Sequence, residues 1–458
     1  VNRNEDGHIA FARLVSSAVV SQVLISATSF AIGLILIRWT SASEYAYYIL
    51  ATNAILLATS LQNAFFNPPL ANRFSTLGAT GRADLVGGMY REQRRIVPVV
   101  AAAAACATLV LWLAGVVEGA IAALVLATIV AACAVLNREY FRMVLFAHRR
   151  PVEVLRADVA FVALIVIGVY VATRTTVAST VAVSGLCVAA LVSGVLLARA
   201  LRRIEPWNIA GVPTLLRDIA PLGAWSVTGA AVHWGFSQGY MYIVAATLDV
   251  RAVAAIAATR LLLMPVNLMT SGMMPLMLPL TSRWLHHHGR TGARRRLAQL
   301  GCALALGTVS YFAILWFLRD WIFAAVLKKH FDHADALLIV WGLTFLVAAV
   351  RSQFGYLIAA ESRFRYLTSL TTGSAAIALT ASYLGMVEFG VIGAVVGVLL
   401  GELIYAIGVA VCLLRSRVAE SPATTDGVAA TTQRSLAYGD ADATAYDRRI
   451  ARGDARVG

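Results

Sequence analysis

Arg260 is the residue whose position most needs a chemical reason. It lies nine residues into an apolar run spanning about 252–280, so about 13 Å from the near end at the rise of an α-helix. A cation at that depth in hydrocarbon is costly and marks a pathway, a partner or a ligand. Its planar fork of donors suits a phosphate or a carboxylate. Gln22, Asn53, His233 and Gln238 also fall inside apolar runs, and together with Arg260 they make a candidate substrate-binding set lining a cavity. Arg38 closes the first run, where it can snorkel to the surface, and it joins the set as an outer member. Glu402 is the carboxylate near the middle of the last run. It either carries a proton for ion coupling or pairs structurally with an arginine. Arg138 and Arg351 lie nearer the ends of their runs and read as capping or snorkelling residues.

Other chemistry is not supported. His286, His287 and His288 precede GRTGARRR and extend a basic loop better than they make a metal site. The five cysteines all sit in apolar runs, without metal spacing or a disulfide framework. The chain has no phosphate-binding P-loop sequence and no nucleophile triad. The expectation is a protein that is not an enzyme, with neither cofactor nor metal.

The elements that position these residues follow from composition. With 59% hydrophobic and 14% charged residues and a mean hydropathy of +0.75, the chain cannot be an ordinary soluble domain. Apolar runs recur at roughly 14–37, 44–66, 96–117, 119–145, 155–173, 177–198, 218–247, 252–280, 297–318, 334–359, 365–387 and 389–414. Each is near the twenty residues that cross about 30 Å of hydrocarbon. The first is too long for a signal-peptide core. A net charge of +14 raises the question of nucleic acid, but the basic residues alternate between loops. Twenty arginines, from Arg73 to Arg365, fall on one side, against Arg38, Arg174, Arg251, Arg319, Lys328 and Lys329 on the other. That bias makes the rich side cytoplasmic, which puts both termini inside and the chain in the cell inner membrane, with no nucleic-acid partner. From about Ser416 the composition shifts to Ala, Thr, Asp and Arg, and 416–458 reads as a disordered cytoplasmic tail.

The two halves repeat weakly. At an offset of 207, Thr40, Ile49, Ala51, Thr52, Leu56 and Pro68 meet Thr247, Ile256, Ala258, Thr259, Leu263 and Pro275. At 213, Arg138, Phe141, Ala147 and Arg150 meet Arg351, Phe354, Ala360 and Arg363. The fold class is therefore an all-α integral membrane protein. About twelve transmembrane helices form two six-helix lobes, 1–203 and 204–415, related by pseudo-two-fold symmetry around a central cavity. Asn53 is the repeat partner of Arg260, so both are expected to face that cavity.

At this point the sequence resembles a known family. The opening SQVLISATSFAIGLILIRWTSASEYAYYIL is similar to the start of bacterial polysaccharide (O-antigen) flippases, often called Wzx-like. These belong to the multidrug/oligosaccharidyl-lipid/polysaccharide (MOP) exporter superfamily. Glu44, Tyr45 and Tyr48 stand in the family's turn between the first two helices, with Ala46 where a glycine is usual. AVAAIAATRLLLMPVNLMTSGMMPLMLPL resembles the family's eighth helix and GVIGAVVGVLLGELIYAIG its last; the likeness covers roughly residues 10–415. It implies movement of undecaprenyl-pyrophosphate-linked oligosaccharide from the inner to the outer leaflet by alternating access, as a step of exopolysaccharide biosynthesis. It also implies contact with membrane lipid, with a glycan polymerase and with glycosyltransferases. Arg260 is the residue onto which the family's headgroup-holding cation is carried.

Three rivals were weighed. A multidrug exporter of the same superfamily should place carboxylates centrally in its first lobe, whereas Glu139 and Asp158 lie towards run ends. A major-facilitator transporter should carry a compact Gly/Arg pattern after its second helix, which Asn72-Arg73 followed by FSTLGATGR does not supply. A glycan polymerase or ligase should have a large outer loop, and the segment from Arg319 to His333 is short for that.

Overall fold

The computed structural model describes residues 2–74, 77–204 and 215–418. Six helices come first: α1 (Asn2–Trp39), α2 (Ala42–Arg73), α3 (Ala79–Leu113), α4 (Gly119–Ala147), α5 (Pro151–Ala172) and α6 (Ala178–Ile204). Helix α7 covers 215–247 and contains a π-helical turn at Gly235–Gly239. Helix α8 covers 250–288 and is broken at Leu263. Helix α9 covers 290–327, its last turn π-helical. Helix α10 is Ala334–Ala360, α11 is 364–389 and α12 is 391–418. The first compact unit, residues 1–406, carries all of these except the end of α12, which begins the second unit, 407–458.

Length decides where the long helical stretches divide. Among the described residues, nine stretches are long and apolar enough to cross a membrane, and a bent pair at 250–270 is a tenth. Two of the nine, Leu276–Leu327 and Phe364–Arg415, have 52 residues, about 78 Å if straight and far beyond one hydrocarbon thickness. Gly289 (φ +64) and Gly390 (φ +56) break them, because glycine enters the left-handed region without a Cβ clash. The first therefore separates into the tail of α8 plus α9, and the second into α11 plus α12. With α7, interrupted by its π turn, the described residues form twelve helices, in the order of the twelve apolar runs.

The structure differs from the sequence reading at the arginine-rich turns. Most of each arginine-rich segment, 79–95 in one case and 281–288 with 290–296 in the other, is a helical extension rather than a loop. Helix α3 has 35 residues, about 52 Å. Its first turns bury Ala83, Leu85, Val86 and Met89 while carrying Arg82, Arg91, Arg94 and Arg95. The expected tail lies outside the described residues from 419 onward; helix α12 itself continues to Val418.

Two apolar clusters hold the first unit together. One, at the arginine-rich end of the first six helices, packs Phe66, Leu70, Val86, Tyr140, Phe141, Leu197 and their neighbours. The other spans both lobes. It joins Leu36, Ile37, Tyr45 and Ile55 of α1 and α2 to Tyr240, Val253, Ile256, Leu337 and Trp341 of α7, α8 and α10. Large apolar side chains also face outward, among them Phe317 at 89% and Leu113 at 78% exposure. In water such a surface would aggregate; in a bilayer it meets the solvent it was selected for. The chain is a multi-pass membrane protein.

Candidate functional site

Three local features shape the site. The first is the break in α8. Pro265 has no N–H to donate, and the helix bends by 52° between Val250–Leu262 and Met264–Thr270. Val266 N bonds to the Leu263 carbonyl rather than to Leu262, and the Leu262 carbonyl accepts instead from the Tyr311 hydroxyl of α9 at 2.6 Å. The second is the π turn in α7, bounded by Gly235 and Gly239; such turns re-aim side chains and recur at functional sites. The third is the hairpin of α11 and α12, which places Glu402 opposite α10.

Between these elements lies a cavity of about 530 Å3. The polar side chains in its wall include His233, Gln238, Arg260, Asn267, Arg351 and Glu402, with Trp234, Trp341 and Tyr356 among the aromatic ones. On α10 the lining runs from Trp341 to Tyr356, about 22 Å along the helix, towards the arginine-rich end. Trp341, in the cavity wall, also belongs to the apolar cluster that contains Tyr240, so the wall is continuous with that cluster.

Arg260 stands at the boundary between that cluster and the cavity. Its Nη1 donates to Gln238 Oε1 at 2.8 Å and to the Tyr240 hydroxyl at 3.4 Å. The guanidinium lies 5.5 Å from the Trp341 ring. Its Nε is buried without a hydrogen-bond partner, and among the described residues no carboxylate pairs with it. Arg351 is different. Its Nη2 donates to Glu402 Oε1 at 2.9 Å, its Nε to the other carboxylate oxygen, and its guanidinium lies 4.2 Å from the Tyr405 ring. With Arg351 neutralised by Glu402, Arg260 leaves the cavity wall with a net positive charge, apart from whatever His233 adds.

The seven candidates separate. Arg260, Gln238, His233 and Glu402 come together in one cavity. Asn53 does not join the lining: its amide lies 3.2 Å from Met241 Sδ, and its carbonyl accepts from Trp234 Nε1 at 3.0 Å. The expected partners Asn53 and Arg260 therefore do not share one cavity surface. Gln22 is exposed on α1. Its neighbour Ser21 turns inward to donate to Asp158, and one residue along a helix is about 100° around it, so Gln22 faces away. Arg38 is occupied at the end of α1, donating to the carbonyls of Ala325 and Val326 at 3.2 Å.

Two placements were not foreseen. Arg351, expected to cap or snorkel, is a wall residue of the cavity. Asp158, expected near a run end, is fully buried and binds Arg138 Nη2 at 2.5 Å and Arg142 Nε at 3.5 Å. Arg138 also contacts Glu139 at 2.5 Å and donates from Nε to Ser193 Oγ at 3.2 Å. This closed network ties α1, α4, α5 and α6 together. At the opposite end, Glu44 accepts from Ser179 N and Oγ at 2.6 and 2.7 Å, capping α6.

No family model matches the sequence, and no curated protein does. Solved structures do match. An inward-facing multidrug-resistance MATE transporter of the MOP superfamily aligns with a TM-score of 0.68 at 14% identity, over 88% of this chain and 96% of that one. The lipid II flippase MurJ, in an inward closed conformation, aligns with a TM-score of 0.70 at 12% identity, over 86% of each chain. A eukaryotic MATE transporter aligns with a TM-score of 0.61 at 11% identity, over 88% and 95%. The chain thus has the two-lobed, all-helical fold of these transporters.

Proposed function

We propose that this chain is a flippase. It carries an undecaprenyl-pyrophosphate-linked oligosaccharide from the inner to the outer leaflet of the cell inner membrane by alternating access of its two lobes, both termini being cytoplasmic. The observation that carries this reading is Arg260. It is a cation in the cavity wall with no acidic partner among the described residues, its Nε still unpaired. An anionic headgroup completes such a site, and a diphosphate matches its fork of donors. The similarity to the structure of the lipid II flippase MurJ supports a lipid-linked substrate.

The energetic task fits the cavity. Each glycan hydroxyl stripped of partners in hydrocarbon costs about 2–7 kcal/mol, so a headgroup crosses only if polar walls and water accompany it. Arg260, Gln238, His233, Asn267 and the Arg351–Glu402 pair supply those walls. The lining that reaches towards the arginine-rich face corresponds to a state open to the cytoplasm.

The multidrug reading, supported by the MATE structures, places a cation in the same space. The net positive wall opposes it, and the first-lobe carboxylate that would compensate, Asp158, is already bound by two arginines. The chain acts as a transporter on this reading, not as a glycan polymerase. The decisive experiment deletes the gene and locates the lipid-linked glycans. Complete repeat units accumulating in the inner leaflet support a flippase; single units accumulating in the outer leaflet indicate a polymerase, and unchanged lipid-linked glycans return the multidrug reading.

A further inference from the structure

A second cavity, of about 420 Å3, lies at the α8–α9 hairpin and is lined by Leu280, Arg283, Trp284, His287, His288 and Arg296. The hairpin is tight. Gly289 turns the chain at φ +64, and a Cβ on Gly292 would stand 2.5 Å from His288 Cβ. Five of the six lining residues come from α8 at helical spacings of three, four, seven and eight, which puts them on one face. Arg296 reaches across from α9. Its Nη2 donates to His288 Nε2 at 2.8 Å, and its guanidinium lies 5.7 Å from the Trp284 ring. No acidic residue lines this cavity. Glu361, from the α10–α11 turn, is engaged instead by Arg290 at 2.8 Å.

The order of side chains along α8 is informative. Leu276, one turn before Leu280 on the same face, is 59% exposed. Then come Leu280, the adjacent pair Arg283 and Trp284, and finally His287 and His288, with Arg296 reaching in from α9. A phospholipid has the same sequence of parts: acyl chain, interfacial region, phosphate. Tryptophan is the side chain that membranes place at that interfacial level, and a basic pocket between helices at the arginine-rich face is suited to an anionic headgroup.

We infer that the α8–α9 hairpin is a binding site for an anionic phospholipid. Arg283, Arg296 and His287 hold the phosphate, Trp284 sits at the interface, and an acyl chain lies over Leu280 and Leu276. A soluble anion would use the basic groups but would leave the leucine stripe without a role. The site is separate from the central cavity and stands whether or not the flippase reading does.

The test uses the full chain in mixed-lipid nanodiscs, with retained lipids counted by native mass spectrometry after extraction. The wild type is expected to retain phosphatidylglycerol or cardiolipin in preference to phosphatidylcholine. The variant Arg283→Gln/Arg296→Gln is expected to weaken that retention about 25-fold, taking roughly fivefold for each basic residue at an anionic surface. Arg283→Gln alone, at an exposed position, is expected to give about fivefold and serves if the double variant folds poorly. Equal retention of anionic and zwitterionic lipid by the wild type overturns the proposal. So does displacement of the bound lipid by millimolar inorganic phosphate, which would make this a soluble-anion site.

Discussion

Replacing Arg260 separates a binding role from a structural one. Its Nη1 bond to Gln238 Oε1 is 2.8 Å long, its Nε has no partner, and the residue is half-buried in the wall. Charge-assisted hydrogen bonds contribute about 1.5–3 kcal/mol, and 1.4 kcal/mol is tenfold in affinity. Arg260→Ala should therefore weaken a pyrophosphate-linked lipid by about 10- to 150-fold. The folded protein should lose little. Removing a cation that has no counter-charge relieves its desolvation, and Gln238 Oε1 lines a cavity that water can enter. Arg260→Lys keeps the charge but not the fork, and its affinity should fall between wild type and alanine. The assay is equilibrium binding in nanodiscs of a short-glycan pyrophosphate lipid, with thermal unfolding of the same samples. Wild-type affinity in Arg260→Ala refutes the reasoning. A lowered melting temperature with unchanged affinity refutes it equally, because it would make Arg260 a structural residue.

Three further outcomes are expected. Glu402→Gln leaves Arg351 in the wall without its counter-ion and should destabilise by up to about 3–5 kcal/mol; adding Arg351→Met should recover much of that loss, and additive losses in thermal unfolding would deny the coupling. Asp158→Asn leaves Arg138 and Arg142 with Glu139 as their one remaining carboxylate in that network and should destabilise by up to about 3–5 kcal/mol, read as a lower melting temperature in detergent with the lipid-binding constant unaffected. His148, just beyond the end of α4 and in edge contact with Phe74 at 4.7 Å, has its pKa lowered by burial and then by Arg82 and Arg150. Its folded value lies below the unfolded one, so its contribution is fully present above about pH 6.5 and is lost as the pH falls through that value. His148→Gln should flatten the decline in stability between pH 7 and 5, and an unchanged slope would assign that decline to other groups.

How far the sequence could be read depended on the type of information. Hydropathy places the crossings because every spanning backbone must satisfy its own hydrogen bonds, and each of the twelve runs became a helix. It does not show where a helix continues past the hydrocarbon. Helix α3 begins seventeen residues before its apolar run, with apolar and arginine side chains alternating around its turns, a pattern an averaged hydropathy hides. Depth was readable for Arg260, because counting residues gives distance along a helix. Facing was not. Gln22 and Asn53 have suitable depth, but Gln22 lies one position from the inward Ser21 and Asn53 packs on Met241. The signal that could have promoted Arg351 was Glu402 itself: a lone intramembrane carboxylate needs a cation, and Arg351 was available in the same half of the chain.

The repeat makes this contrast more than a matter of placement. Arg138 and Arg351 are equivalent at an offset of 213, yet the two lobes balance their charges differently. In the first lobe Arg138 and Arg142 meet Asp158 and Glu139 in a closed group, with Arg138 at 3% exposure. In the second lobe two arginines, Arg260 and Arg351, face one cavity with a single carboxylate, Glu402, bound to one of them. The aligned position thus sits in a closed ion-pair network in one half and in a cavity wall in the other. A closed, neutral network holds its helices together as the lobe moves, because opening it would expose unpaired buried charge. An open, positive wall has an anion as its missing partner. On the flippase reading, the half of the chain that carries Arg260 is therefore the one expected to hold the anionic substrate, and the half that carries Asp158 the one expected to stay rigid, so that Arg260→Ala should lower affinity and Asp158→Asn should lower stability.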